Sequence, residues 1–270
     1  MNSPLISPAD LSVLLPGESM LLFDCRHDLF EPQRGRQLYL AEHLPGAYYL
    51  HLDEDLSGTI IPGVTGRHPL PEMSDFLDLL GRFGLTQTVR VVAYDDKGGG
   101  LAARLWWMLR AIGHDRVQVL DGGLPAWKAA GLPTESGPVD ATTPSAIPYP
   151  APKTFPGTRD RAQVADLPAG TLLIDSRTAP RYRGEQEPID PVAGHIPGAI
   201  NLPWPDNLAD GKFKSREALK DRFAGLYDEA DKNIFYCGSG VTACHNILAY
   251  DYALGGLPDL YPGSWSEYLL

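Results

Sequence analysis

Residues 237–242 read Cys-Gly-Ser-Gly-Val-Thr, the stretch of this chain best suited to covalent chemistry. Cys237 closes the apolar run Asn233–Tyr236. Gly238 and Gly240 let the backbone curl, so that several N–H groups turn toward one point. A helical pattern follows, beginning at Val241 and continuing through Cys244, Ile247 and Leu248. The N-terminus of that helix adds partial positive charge. Both effects favour a thiolate, whose free pKa is about 8.5. The amides of Gly238, Ser239, Gly240, Val241 and Thr242 form a cradle for charge carried on sulfur. The chemistry expected is nucleophilic, with Cys237 as the attacking group.

The elements that present this loop occur twice. The first half reads LLFDCR, EHLPGAYYL, RVVAYDD and LDGGLPAW; the second reads LLIDSR, GHIPGAINL, NIFYCGS and LYPGSWSEY. Asp24 and Asp175 lie 151 residues apart, His43 and His195 152, Tyr94 and Tyr236 142, and Trp127 and Tyr268 141. Four blocks in the same order define a duplicated domain. Asp95 stands where the second half has Cys237, so the first copy keeps the loop without the nucleophile. In each copy short apolar runs (Met20–Asp24, Arg90–Tyr94, Val117–Leu120 and their counterparts) alternate with helical patterns such as Leu101–Ile112. Gly113, Gly255 and Gly256 supply C-terminal stops. That alternation predicts an α/β fold, each copy a mainly parallel sheet with helices on both faces. Ligands of such sheets bind beyond the carboxyl ends of the strands, where Cys237 falls.

The chain has 270 residues, 43% of them hydrophobic and 21% charged, enough apolar material for two cores. Seven prolines between Pro133 and Pro156 predict an extended linker, dividing the chain into domains 1–132 and 157–270. No apolar run approaches the roughly 20 residues of a membrane span. Met1–Leu15 carries Asp10 and no basic stretch, so no secretory signal is expected. A net charge of −11 disfavours nucleic acid and anionic membranes as partners, and obliges any anionic substrate to find a local basic pocket. Three cysteines, with no CxxC pair or zinc spacing, point to free thiols in the cytoplasm.

The D-x-R blocks (Asp24–Arg26, Asp175–Arg177), the HIPGA-type blocks (His43–Ala47, His195–Ala199), CGSGVTAC (Cys237–Cys244) and YPGSWSEY (Tyr261–Tyr268) together resemble the two-domain sulfurtransferases of the rhodanese family. The resemblance covers nearly the whole chain. It implies two tandem rhodanese-like domains, the second catalytic, and a ping-pong reaction through a persulfide on Cys237. No metal or organic cofactor is implied. The donor implied is a small sulfur-bearing anion. The acceptor is cyanide, a small thiol or a reduced thioredoxin-like dithiol. Gly238-Ser239 resembles the type that uses 3-mercaptopyruvate, with Ser239 assisting thiol chemistry; a basic pair there would suit thiosulfate, the alternative donor. The resemblance assigns Arg181 to the donor carboxylate; Arg183, two residues on in the sequence, is expected to line the mouth of the site. It assigns a proton relay with Ser239 to Asp53 and His68. Where the mercaptopyruvate type commonly has a second arginine, after the Glu-Pro pair, this chain has Ile189.

His43 and His195 are expected to fix their turns, the D-x-R pairs to be structural ion pairs, and Cys25, Cys244, Trp106, Trp107 and Trp127 to be core. Two rival functions fit the sequence less well. A cysteine phosphatase needs an arginine six residues after the nucleophile, and that position is Ala243. A non-catalytic binding module has no demand for the cysteine and its glycine loop. Fast alkylation of Cys237 near pH 6 separates an enzyme from such a module.

Overall fold

The computed structural model describes residues 3–15, 17, 19–139 and 149–270. The chain forms two compact units, one of residues 1–58 and 71–156, the other of residues 59–70 and 157–270. Two stretches fall differently from the expected boundaries. Residues 59–70 belong to the second unit, although they interrupt the first in sequence. The prolines after 133 do not stand apart as a linker: the described parts join the first unit, and residues 140–148 lie outside the described residues. Specific contacts hold them there. Glu135 exchanges backbone hydrogen bonds of 2.9 Å with His43, His114 Nδ1 lies 2.8 Å from the Tyr149 hydroxyl, and Phe155 packs against Phe76 and Trp107.

The first unit is built on β1 (Leu5–Ile6), β2 (Met20–Asp24), β3 (Tyr48–Tyr49), β4 (Arg90–Tyr94) and β5 (Val117–Leu120), ordered β1-β5-β4-β2-β3 and all parallel. The three expected runs of this half are these strands. Their residues are buried almost without alternation because helices cover both faces. Trp106, Trp107 and Trp127 are fully buried, as core residues should be.

The second unit repeats the plan with β6 (Leu172–Asp175), β7 (Ile200–Asn201), β10 (Asn233–Tyr236) and β11 (Asp259–Leu260), in the order β11-β10-β6-β7. A small antiparallel pair, β8 (Leu208–Ala209) and β9 (Lys212–Phe213), lies apart from this sheet. The outer strand β1 survives only as a parallel bridge between Thr158 and Leu260. Register is preserved: Asp24 sits beside Tyr94, and Asp175 beside Tyr236. The Tyr94 and Tyr236 hydroxyls each accept a backbone N–H, from Leu44 and Ile196, at 3.1 Å. The D-x-R pairs are buried ion pairs in both units, with Arg26–Asp24 and Arg177–Asp175 at 2.6 Å. His43 and His195 direct Nδ1 to the carbonyls of Tyr39 and Tyr182.

In the first unit the loop after β4 carries its own anion. Asp95 is fully buried and its carboxylate accepts four amides, from Lys97 and Gly99 at 2.8 Å, Leu101 at 2.7 Å and Ala102 at 2.9 Å. A tethered carboxylate thus fills the cradle. Asp95→Ala leaves these buried donors without their acceptor and lowers the unfolding free energy by about 2–4 kcal/mol, measured by urea unfolding of the full chain. An unchanged midpoint would show that the four bonds contribute nothing.

Candidate active site

The corresponding loop of the second unit follows β10. Its backbone is oriented by the short helix Ser264–Tyr268. Trp265 N–H donates to the Cys237 carbonyl at 3.1 Å, and Ser266 N–H to the Gly238 carbonyl at 3.0 Å. In a planar trans peptide the N–H points opposite the C=O. Anchoring those carbonyls on the helix side therefore turns the next amides toward the cysteine. Ser264 completes the anchor: its Oγ accepts the Cys237 N–H at 3.1 Å and donates to the Tyr261 carbonyl at 2.9 Å. It does so at a φ of 56°, unusual for a residue with a side chain. Gly240 has a φ of 75°, and a Cβ there would lie 2.3 Å from the Pro262 carbonyl oxygen. Only glycine allows that turn.

Two buried cysteines differ only in what surrounds them. Burial pushes the Cys25 thiol well up, and the carboxylates of Asp24, Asp95 and Asp55 push it further. Burial also acts to raise the Cys237 thiol. There the Thr242 hydroxyl and the amides of Ser239, Ala243 and Gly240 outweigh it, and the thiol falls below its ordinary value. The helix runs from Ala243 to Leu254, two residues later than Val241. The left-handed turn at Gly240 explains the shift, because the residues after it serve the sulfur before the helix begins. Thr242 is the N-cap, yet its hydroxyl bonds to the sulfur and not to a helix amide. Cys244 is fully buried on this helix, its Sγ 3.4 Å from the Gly240 carbonyl.

Around the loop, the structure joins residues that are far apart in sequence. His68, buried, holds Nδ1 2.7 Å from Ser239 Oγ. Arg181 binds the buried Glu187 through Nε at 3.2 Å and Nη2 at 2.7 Å, and Asp190 through Nη2 at 3.0 Å. Arg183 does not join Arg181 on the carboxylates of Glu187 and Asp190. It is half exposed and pairs with Glu185 at 2.7 Å. Residues two apart on a helix point in nearly opposite directions, so Arg181 and Arg183 cannot share a face. Asp53 belongs to the first unit, where its carboxylate lies 3.7 Å from His27 Nε2.

Sequence reasoning missed Arg67. It lies beside His68 in residues 59–70, donates its N–H to Ser266 Oγ at 3.1 Å and pairs with Asp190. The signal was its place in the Gly-Arg-His-Pro run already singled out for His68.

Among the described residues, one cluster has the makings of a metal site: His27, His51 and Asp53. His51 is already committed. Its Nε2 faces the Pro32 carbonyl at 3.0 Å, so that nitrogen carries the proton, and Nδ1 accepts the Asp53 and Glu54 amides. The two ligands left are too few to hold an ion on their own.

The rhodanese-like domain pattern matches residues 7–130 and again 160–269, which decides the family. The chain belongs to the rhodanese family. It is 43% identical to the Pseudomonas aeruginosa protein named "Probable 3-mercaptopyruvate sulfurtransferase", over 99% of this chain and 95% of that one. It is 36% identical to the thiosulfate sulfurtransferase of Bos taurus, over 87% of this chain and 80% of that one. A solved 3-mercaptopyruvate sulfurtransferase from Leishmania major matches with a TM-score of 0.87 at 34% identity, covering 98% of this chain and 74% of the other. This rhodanese chain is a sulfurtransferase with two tandem domains, acting on a sulfur donor and a sulfur acceptor. No described helix is long and apolar enough to cross a membrane.

The pH dependence of the thiol follows from its partners. Alkylation of Cys237 by neutral iodoacetamide rises with a midpoint below that of a free cysteine, about 8.5. Thr242→Val removes a donor to the thiolate and moves the midpoint up. A variant profile that overlays the parent would remove Thr242 from the sulfur's stabilisation.

Proposed function

We propose that this enzyme moves a sulfane sulfur from 3-mercaptopyruvate to cyanide or a thiol through a persulfide on Cys237. The observation that carries this reading is a buried thiol held below its ordinary value, beside a hydroxyl paired with a buried imidazole. The Cys237 thiolate attacks the donor sulfur. As the S–S bond forms, the C–S bond breaks and its electron pair passes into the enolate of pyruvate. The proton leaving the donor thiol ends on that enolate carbon, giving pyruvate and a persulfide anion. Ser239 and His68 relay that proton, a role supported by the 2.7 Å contact between His68 Nδ1 and Ser239 Oγ. The amides of Ser239, Gly240 and Ala243 hold the negative charge. The Arg181 guanidinium takes the donor carboxylate. In the second half-reaction cyanide or a thiolate attacks the outer sulfur, the S–S bond breaks, and its electron pair returns to Cys237.

Cyanide, a small thiol and a thioredoxin-like dithiol all suit this second step. A reducing compartment such as the cytoplasm suits the enzyme, because all three cysteines are free and Cys237 must stay so between turnovers.

Side-by-side kcat/KM values with 3-mercaptopyruvate and thiosulfate, cyanide accepting, test the donor. Mercaptopyruvate is expected to lead by about tenfold or more, with Cys237→Ser inactive toward both. A lead for thiosulfate would reverse the donor assignment, and activity in Cys237→Ser would end the persulfide mechanism. Ser239→Lys shifts the ratio toward thiosulfate, because a cation beside the sulfur suits a dianion. An unmoved ratio would show that loop charge does not choose the donor.

A further inference from the structure

Ser266 holds both partners of the Ser239–His68 contact, each at one remove. Its backbone N–H binds the Gly238 carbonyl at 3.0 Å, and that carbonyl shares a peptide plane with the Ser239 N–H. Its hydroxyl oxygen accepts the Arg67 N–H at 3.1 Å, and Arg67 directly precedes His68. Ser239 and His68 are 171 residues apart in sequence, yet one residue of the short helix Ser264–Tyr268 fixes the neighbour of each. The hydroxyl is committed to this role. Its single proton goes to the Gly263 carbonyl at 3.2 Å, so its oxygen faces Arg67 as an acceptor.

The chain before His68 lies tightly on that helix. A Cβ built on Gly66 would lie 2.6 Å from the Gly263 carbonyl oxygen and 2.7 Å from Ser266 Oγ. The φ of Gly66 is not positive, so close approach, not backbone conformation, excludes a side chain there. The Gly66 amide and the Tyr261 hydroxyl both bond to the Glu267 carboxylate, Tyr261 at 3.2 Å. On the other side of His68, Pro69 steers the His68 backbone toward extended conformations. A shift at Gly66 or Arg67 therefore passes to the imidazole instead of being absorbed along the chain. The contact it reaches is 2.7 Å long and lies between two buried side chains, where a few tenths of an ångström decide the bond.

We propose that Ser266 is a positioning residue for the donor half-reaction. Its hydroxyl, with Gly66 seated against it, sets the distance between His68 and Ser239 across which the donor's thiol proton passes. That relay rests on the function proposed above. Ser266 acts through His68 and not on the sulfur. Its side chain and its backbone divide the work: the N–H orients the cysteine loop and survives every substitution except proline, whereas the hydroxyl registers His68. The Arg67 side chain still pairs with Asp190 when the hydroxyl is lost, so His68 is displaced without residues 59–70 being released.

Two variants test the pin from opposite sides. Ser266→Ala removes the acceptor and keeps the N–H; Gly66→Ala keeps the hydroxyl and lifts the segment from the helix. With 3-mercaptopyruvate and cyanide, kcat is expected to fall about 10–100-fold in each, with KM little changed. The midpoint of Cys237 alkylation by iodoacetamide stays at the parent's value, because the amides around the sulfur are untouched. A second readout needs no turnover. Diethyl pyrocarbonate acylates accessible imidazoles, and its reaction at His68 is followed by peptide mass spectrometry after treatment of the full native chain. His68 is expected to react slowly in the parent and about tenfold faster or more in both variants. Unchanged kcat in both variants overturns the proposal, and so does a fall in kcat accompanied by a moved alkylation midpoint, which marks damage to the cysteine loop itself. Should the parent fail to turn over 3-mercaptopyruvate, faster acylation of His68 in the variants upholds the positioning role and overturns the donor reading; equal acylation overturns the positioning role.

Discussion

Everything at this site depends on donors turned toward a single sulfur. A thiol buried to the extent of Cys237 is by itself a poor nucleophile, as Cys25 shows, because the low-dielectric interior penalises the charged form. What reverses the sign is backbone direction. The carbonyls of Cys237 and Gly238 are held by the amides of Trp265 and Ser266, and the amides of Ser239, Gly240 and Ala243 bond to the sulfur. The strained turn at Ser264 and the tight turn at Gly240 are therefore parts of the nucleophile's environment as much as Thr242 is. The first unit supports the same account. There the amides face a carboxylate, Asp95, and a loop filled by its own anion has no room for a sulfur-borne one.

Much of this was legible in the sequence because it is local. The strands Met20–Asp24, Arg90–Tyr94 and Val117–Leu120 were readable as buried apolar runs, and the loop followed from its glycines and its place after a strand. The late start of the helix at Ala243 was not readable. Apolar periodicity counts Val241 as helical, whereas the left-handed residue before it commits Val241 and Thr242 to the loop. Arg183 parts from Arg181 for a geometric reason. Arg181 and Arg183 are neighbours in sequence, but the short helix Ala179–Tyr182 separates their directions, and only Arg181 reaches the carboxylates of Glu187 and Asp190.

Within residues 59–70 the resemblance pointed to His68, whereas the contribution of Arg67 was hidden for a different reason. Repeat logic assigns every residue to the copy in which it falls, and those twelve residues fall in the first. Nothing in their composition reveals that they pack with the second. Their attachment runs through particular pairs, Arg67 with Ser266 and Asp190, and His68 with Ser239, whose members lie 123 to 199 residues apart. Such contacts have no period and no local signature. Their effect is large all the same, because they bring an imidazole and a second guanidinium to the loop that follows β10.

Charge balance makes the grouping of three arginines intelligible. Arg67, Arg177 and Arg181 are matched by Asp175, Glu187 and Asp190, so the buried cluster is neutral before any ligand arrives. Neutrality is what allows so many charges out of water, since an unmatched buried cation would carry a penalty of several kcal/mol. The balance is not uniform in space. Arg177 is wholly engaged by Asp175, Glu187 and the Gly194 carbonyl, whereas Arg67 and Arg181 share Asp190 and keep N–H groups over Gly238. The positive edge of a neutral cluster therefore lies beside the nucleophile, in a chain whose net charge is −11.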